Sequence, residues 1–286
     1  MHNGGLRKAM LPLKQTTSTI LAATLIAGTV SCTMLDTVER ELVFRPVTEQ
    51  WSGYSPAVLQ AEDQWIPVGT EGERLHAVWV ASPQAEFTLL FFHGARVNLS
   101  GSIYRLRGFR EAGFNVLAID YRGFGRSSPR LPSEQTVYED AEAAMKWFET
   151  RVPDPRRRIL YGHSLGGPIA AEAALRGGGA AALVLESTFT SVSEMTHLSG
   201  LVTQRLDLLE KLERLKLPVL IVHGAEDELV PPDMARRLYD AARGPKRLLL
   251  VEGAGHRWVA FRARDAIFTL LRELTSQSAV PEHPGL

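Results

Sequence analysis

The segment Gly162-His163-Ser164-Leu165-Gly166-Gly167 limits the folds open to this chain more than any other feature. It follows a short apolar run at 158–161 and opens a helix-like stretch at 165–176, so strand must give way to helix within a few residues. A turn that sharp strains the backbone of the serine. Glycines two residues to either side of it then avoid clashes between the converging strand and helix. The Ser164 hydroxyl is pointed away from the sheet, and the next N–H groups fall at a helix N-terminus, where developing negative charge is favoured. Taken alone, the same residues also describe a glycine-rich turn with a capping serine.

The surroundings narrow the choice. Further β-type runs at 75–80, 88–92, 115–119, 182–185, 218–222 and 247–251 are separated by helix-like stretches, the clearest at 101–112, 136–151, 232–243 and 258–274. Val116-Leu117-Ala118-Ile119 and Val219-Leu220-Ile221-Val222 are continuously apolar, as strands buried on both faces must be. The chain is therefore expected to be α/β, a mostly parallel central sheet with helices on both faces. The order of elements places one domain at 64–275, an arm at 32–63 and a flexible tail at 276–286. With its strand–turn–helix setting, the Gly162–Gly166 motif resembles the nucleophile turn of the α/β-hydrolase fold superfamily. The chain is similar in particular to the small-lidded, Bem46-like serine hydrolases. The resemblance covers about residues 64–274.

A serine hydroxyl attacks poorly at neutral pH unless an imidazole takes its proton, and that imidazole needs a carboxylate to hold its tautomer. The resemblance implies the chain order serine, acid, histidine. It assigns the acid to Asp227 in Gly224-Ala225-Glu226-Asp227-Glu228, after the run 218–222, and the base to His256 in Gly253-Ala254-Gly255-His256. Glu226 and Glu228 are local rivals, read as solvated loop charge. Of the eight histidines, His256 alone follows both Ser164 and Asp227 at a strand end, whereas His93, His163 and His223 are read as turn supports. The turn His93-Gly94-Ala95-Arg96 resembles half of an oxyanion hole, implying that the backbone N–H groups of Ala95 and Leu165 bind the tetrahedral oxyanion. No histidine stands at metal-ligand spacing from an acid, so no metal and no cofactor is expected.

The N-terminus reads differently. Arg7, Lys8 and Lys14 precede the apolar run 20–30, then come Ser31 and the chain's one cysteine, Cys32. This is the order of a bacterial secretory signal, and Thr29-Val30-Ser31-Cys32 resembles a lipoprotein cleavage site in which Cys32 is lipidated. Thr29 stands where an aliphatic residue is usual. An uncleaved signal anchor is the competing reading. Removal of residues 1–31 would leave 255 residues, and the balance of 32 basic and 32 acidic side chains would become a net charge of −3. Neither form carries the basic excess of a nucleic-acid binder.

Weaker signals remain. Asp120-Tyr121-Arg122-Gly123-Phe124-Gly125-Arg126-Ser127 lacks the third glycine of a dinucleotide fingerprint and is read as a loop that shapes the domain. Glu186-Ser187-Thr188 is placed on the rim of the site, and Arg156-Arg157-Arg158 in a solvated turn. Only the 31 residues 187–217 are available for a cap, room for one or two helices, such as one over 201–217. Together these readings imply a lipid-anchored, membrane-attached serine esterase of the bacterial cell envelope acting on modest acyl esters. A serine peptidase and a non-catalytic interaction lipoprotein are the alternatives.

Overall fold

A computed structural model describes residues 33–52, 54–69, 72–83, 85–196 and 202–277. Residues 1–32 and 278–286 lie outside the described residues, and with them the expected leader and the expected lipidation site at Cys32.

Eight strands form a single sheet: β1 (Ala61–Pro67), β2 (Arg74–Val80), β3 (Thr88–Phe92), β4 (Asn115–Ile119), β5 (Arg158–His163), β6 (Ala182–Glu186), β7 (Val219–Gly224) and β8 (Lys246–Val251). Their spatial order is β1-β2-β4-β3-β5-β6-β7-β8. Both pairings of β2 are antiparallel and the remaining five are parallel. β1 is an addition to the expected strands. Its sequence, Ala-Glu-Asp-Gln-Trp-Ile-Pro, has no apolar run because it is an edge strand with a wet face.

Period-2 alternation splits each central strand between two cores. In β3, Leu90 and Phe92 face one layer, and Leu89 and Phe91 the other. The helices in chain order are α1 (33–44), α2 (Pro56–Leu59), α3 (Ile103–Glu111), α4 (Glu134–Arg151), α5 (Gly166–Arg176), α6 (Val192–Thr196), α7 (Leu208–Arg214), α8 (Pro232–Ala241), α9 (Val259–Arg262) and α10 (Arg264–Gln277). The first layer takes α4, α5, α7 and α8, and the second takes α3 and α10. Because β4 and β5 flank β3 on opposite sides, chain connections diverge at the carboxyl ends of β3 and β5. In an open α/β sheet, that crevice is where ligands bind.

Several expectations are corrected. The cap carries two short helices, α6 and α7, and the helix suggested over 201–217 is shortened to Leu208–Arg214, capped by Asp207, whose Oδ1 accepts the Glu210 N–H. Upstream, the Glu39 carboxylate takes the N–H groups of Thr203 and Gln204, so this stretch is tied to the arm instead of coiling. The arm is helical over 33–44 and at Pro56–Leu59, and its Phe44 is wholly buried. It continues across the carboxyl end of the sheet, where Val47 C=O accepts from Gly125 N–H and Asn98 Nδ2. Arg158 is not in a solvated turn. It is buried in β5 and donates to the carbonyls of Val152, Pro153, Gly178 and Gly179. α10 also runs to Gln277, two residues into the expected tail.

Candidate active site

β5 delivers Ser164 to the carboxyl end of the sheet with φ +54°, the left-handed region that a side chain normally avoids. The flanking glycines are fixed by close approach. A side chain at Gly162 would place its Cβ 2.3 Å from Gly166 O, and one at Gly166 would fall 2.1 Å from Phe92 O. Three hydrogen bonds hold the turn: Ser164 N–H to Glu186 O (2.9 Å), Gly167 N–H to Ser164 O (2.9 Å) and Thr188 Oγ1 to Ser164 O (2.8 Å). Glu186-Ser187-Thr188 is therefore beneath the serine and buried, not on the rim.

The structure brings Ser164, His256 and Asp227 into one line. His256 Nε2 lies 3.1 Å from Ser164 Oγ, and His256 Nδ1 lies 2.8 Å from Asp227 Oδ2. A carboxylate only accepts, so Nδ1 carries the proton and Nε2 of the neutral ring presents its lone pair to the serine hydroxyl. Asp227 is in turn fixed by the Leu229 and Val230 N–H groups on Oδ1, each at 2.9 Å, and by His223 Nε2 at 3.3 Å from Oδ2. Burial alone would raise the Asp227 carboxyl. The hydrogen bonds from His223, His256 and Val230 N–H outweigh it and hold the group well below the usual carboxylate range. Glu226 and Glu228 are exposed and stand outside this line. The turn after β3 is its neighbour, since a Cβ on Gly94 would sit 3.3 Å from Ser164 Cβ.

Sequence reasoning missed the group beneath the serine. The Glu186 carboxylate is wholly buried and takes Arg105 Nε (3.0 Å) and Nη2 (2.7 Å), Tyr161 O–H (2.8 Å) and, from α9, the Ala260 N–H (3.3 Å). It thus joins β5, α3 and the segment after His256. Burial would raise this carboxyl, but the Arg105 guanidinium and the nearby His163, with the Arg105 and Tyr161 hydrogen bonds, hold it at about 2 against an ordinary 4.5. Burial and Arg105 push His163 down to about 3, so it is neutral at neutral pH. Its ring, 5.5 Å from that of His256, therefore adds no second positive charge when His256 takes a proton.

A depressed folded-state value means that the stabilisation by Glu186 is complete above about pH 4.5 and drains away as pH falls toward 2. The thermal unfolding midpoint is expected to drop across that window, and Glu186→Gln to flatten the drop, leaving the part due to Asp227, Asp120 and the other carboxylates held below their ordinary range. Parallel curves for the two proteins, followed by circular dichroism, would refute the assignment.

Against known proteins, a family profile described as Hydrolase_4, serine aminopeptidase, S33, matches residues 83–212 and 198–260. An uncharacterized protein of Mycobacterium tuberculosis is 36% identical over 176 residues, 59% of this chain and 62% of that protein, so the match spans less than two thirds of the relative's length. Human alpha/beta hydrolase domain-containing protein 17B is 34% identical over 210 residues, covering 71% of this chain and 72% of that protein. Among solved structures, a Pyrococcus furiosus esterase superposes with TM-score 0.67 at 17% identity, covering 81% of this chain and 96% of that one. At that identity the likeness is one of fold.

Proposed function

The chain belongs to the α/β-hydrolase superfamily, and from that premise we propose that it is a serine hydrolase of the Bem46-like branch that cleaves acyl esters. The observation that carries the reading is the unbroken line Ser164 Oγ, His256 Nε2, His256 Nδ1, Asp227 Oδ2, with separations of 3.1 and 2.8 Å. In the reaction, Ser164 Oγ bonds to the acyl carbon as its proton passes to His256 Nε2, and Asp227 holds the imidazolium that forms. The carbonyl oxygen becomes an oxyanion, received by the N–H groups of Ala95 and Leu165. Collapse expels the alcohol, which leaves with the proton from His256. Water then attacks the acyl-enzyme with His256 again as base, releasing the acid and restoring the serine.

The family profile's description, serine aminopeptidase, supports a second reading in which the bond cleaved is an amide. A panel of p-nitrophenyl esters of increasing acyl length, set against aminoacyl p-nitroanilides, separates the two. Faster turnover of esters at matched concentration is expected, and the reverse order would move the assignment to peptidase. Membrane attachment through a lipidated Cys32, on the bacterial cell envelope, belongs to the same proposal. It is supported by the basic, apolar and small-residue order of residues 1–32. Mass spectrometry of the N-terminal peptide from cell envelopes tests it: a diacylglyceryl adduct on Cys32 is expected, and an unmodified Cys32 in an intact leader would exclude it.

A further inference from the structure

We propose that the loop 120–127 is the positioning element of the oxyanion donor, acting through His93. The inference rests on the serine-hydrolase reading and adds residues to its machinery. His93 is the first residue after β3 and is wholly buried. Its Nδ1 lies 2.8 Å from Gly94 O, and a carbonyl can only accept, so Nδ1 carries a proton and donates it. The Gly94 C=O and the Ala95 N–H are the two ends of one planar trans peptide. A bond that fixes the carbonyl direction therefore aims the N–H the opposite way, and this peptide stands beside Ser164.

The loop surrounds the His93 ring. The Tyr121 and Phe124 rings lie 4.5 and 5.0 Å from it, and Tyr121 O–H donates to His93 O at 3.0 Å. Asp120 is 1% exposed and holds the far end of the segment 93–99: its Oδ1 accepts the Leu99 N–H at 2.8 Å and lies 3.5 Å from His93 Nε2, which has no hydrogen-bond partner among the described residues. Its Oδ2 faces His76 Nδ1 at 3.3 Å, and His76 Nε2 faces Asp63, itself paired with Arg126. Burial would raise Asp120, but the hydrogen bonds from His76 and the Leu99 N–H outweigh it and hold the carboxyl below the usual carboxylate range. Gly125 makes room for the carboxylate, since a Cβ there would meet Asp120 Oδ2 at 1.9 Å. Ser127 Oγ then ties the loop down, donating to Asp120 O at 2.7 Å and accepting the His76 N–H at 2.8 Å. The glycines that suggest a phosphate loop thus serve a buried carboxylate instead.

Asp120→Asn keeps an acceptor for Leu99 but removes the charge that strengthens that bond and the one from His76, loosening the loop's hold on the segment 93–99. With the full chain and p-nitrophenyl acetate, kcat is expected to fall about 10- to 100-fold, short of the ~10²–10³ for complete loss of an oxyanion donor, while KM stays within about twofold. Affinity for an alkyl trifluoromethyl ketone, whose hemiketal oxygen occupies the oxyanion position, is expected to weaken by the same factor. A folded variant with unchanged kcat and ketone affinity overturns the proposal, as does a loss confined to KM. Wild-type protein that binds no ketone overturns the hydrolase reading and this inference together. Should Asp120→Asn not fold, ¹⁵N NMR of histidine-labelled wild-type protein decides, with His93 assigned by its proximity to Tyr121 and Phe124. A protonated Nδ1 sustains the proposal, and a bare Nδ1 refutes it.

Discussion

Ser164→Ala is expected to lower kcat for ester hydrolysis by about 10⁴–10⁶-fold, because the members of a catalytic triad act as a unit and the oxyanion donors alone leave little residual rate. The change removes one oxygen. Its Cβ stays, and the backbone bonds to Glu186 O and from Gly167 N–H and Thr188 Oγ1 stay. The side-chain hydrogen bond that goes is the 3.1 Å one to His256 Nε2. The unfolding midpoint should therefore remain within a few degrees of wild type. Labelling by a fluorophosphonate probe, read by intact mass, should disappear with the activity. A Ser164→Ala protein that still turns over esters at more than a hundredth of the wild-type rate would place the nucleophile elsewhere.

Asp227→Asn is the subtler change and carries nearly as large an effect, about 10⁴-fold in kcat. Leu229 and Val230 N–H groups both point at Oδ1, so the asparagine must give its carbonyl oxygen to them and turn its NH₂ toward His256 and His223. An NH₂ donates, so His256 must present Nδ1 as a lone pair and move its proton to Nε2. The ring then offers Ser164 a donor where it needs an acceptor, and cannot take the serine proton. Steady-state kinetics beside fluorophosphonate labelling should show both rates falling together with KM little changed. A kcat within tenfold of wild type would mean that Asp227 does not set the tautomer.

The sequence carried the parallel sheet and its helices through local signals, namely four-residue apolar runs and the strand–turn–helix at Ser164. It placed Asp227 and His256 because each follows a strand end in the order the resemblance implies. What it could not carry was whatever depends on residues far apart in the chain. Arg105 reads as one basic residue in a helix, and only the packing of α3 on the sheet brings it to Glu186, 81 positions away. β1 is hidden because an edge strand with one wet face has no hydrophobic run. A helix over 201–217 is suggested because Leu201, Leu208, Leu212 and Leu215 have helical spacing. The hydrogen bonds from Glu39 that tie down residues 203–204 come from the other end of the chain and have no local signature.

The left-handed backbone at Ser164 has an evolutionary consequence. A serine there costs about 1–2 kcal/mol relative to a residue free to adopt φ +54°. Ser164→Gly relieves that strain, so the inactive glycine protein should resist heat better than the active one. A lineage selected for persistence alone would drift toward glycine at this position. Serine is kept only while its chemistry is under selection, which makes residue 164 a marker, in any copy of this chain, of whether the hydrolase is still in use.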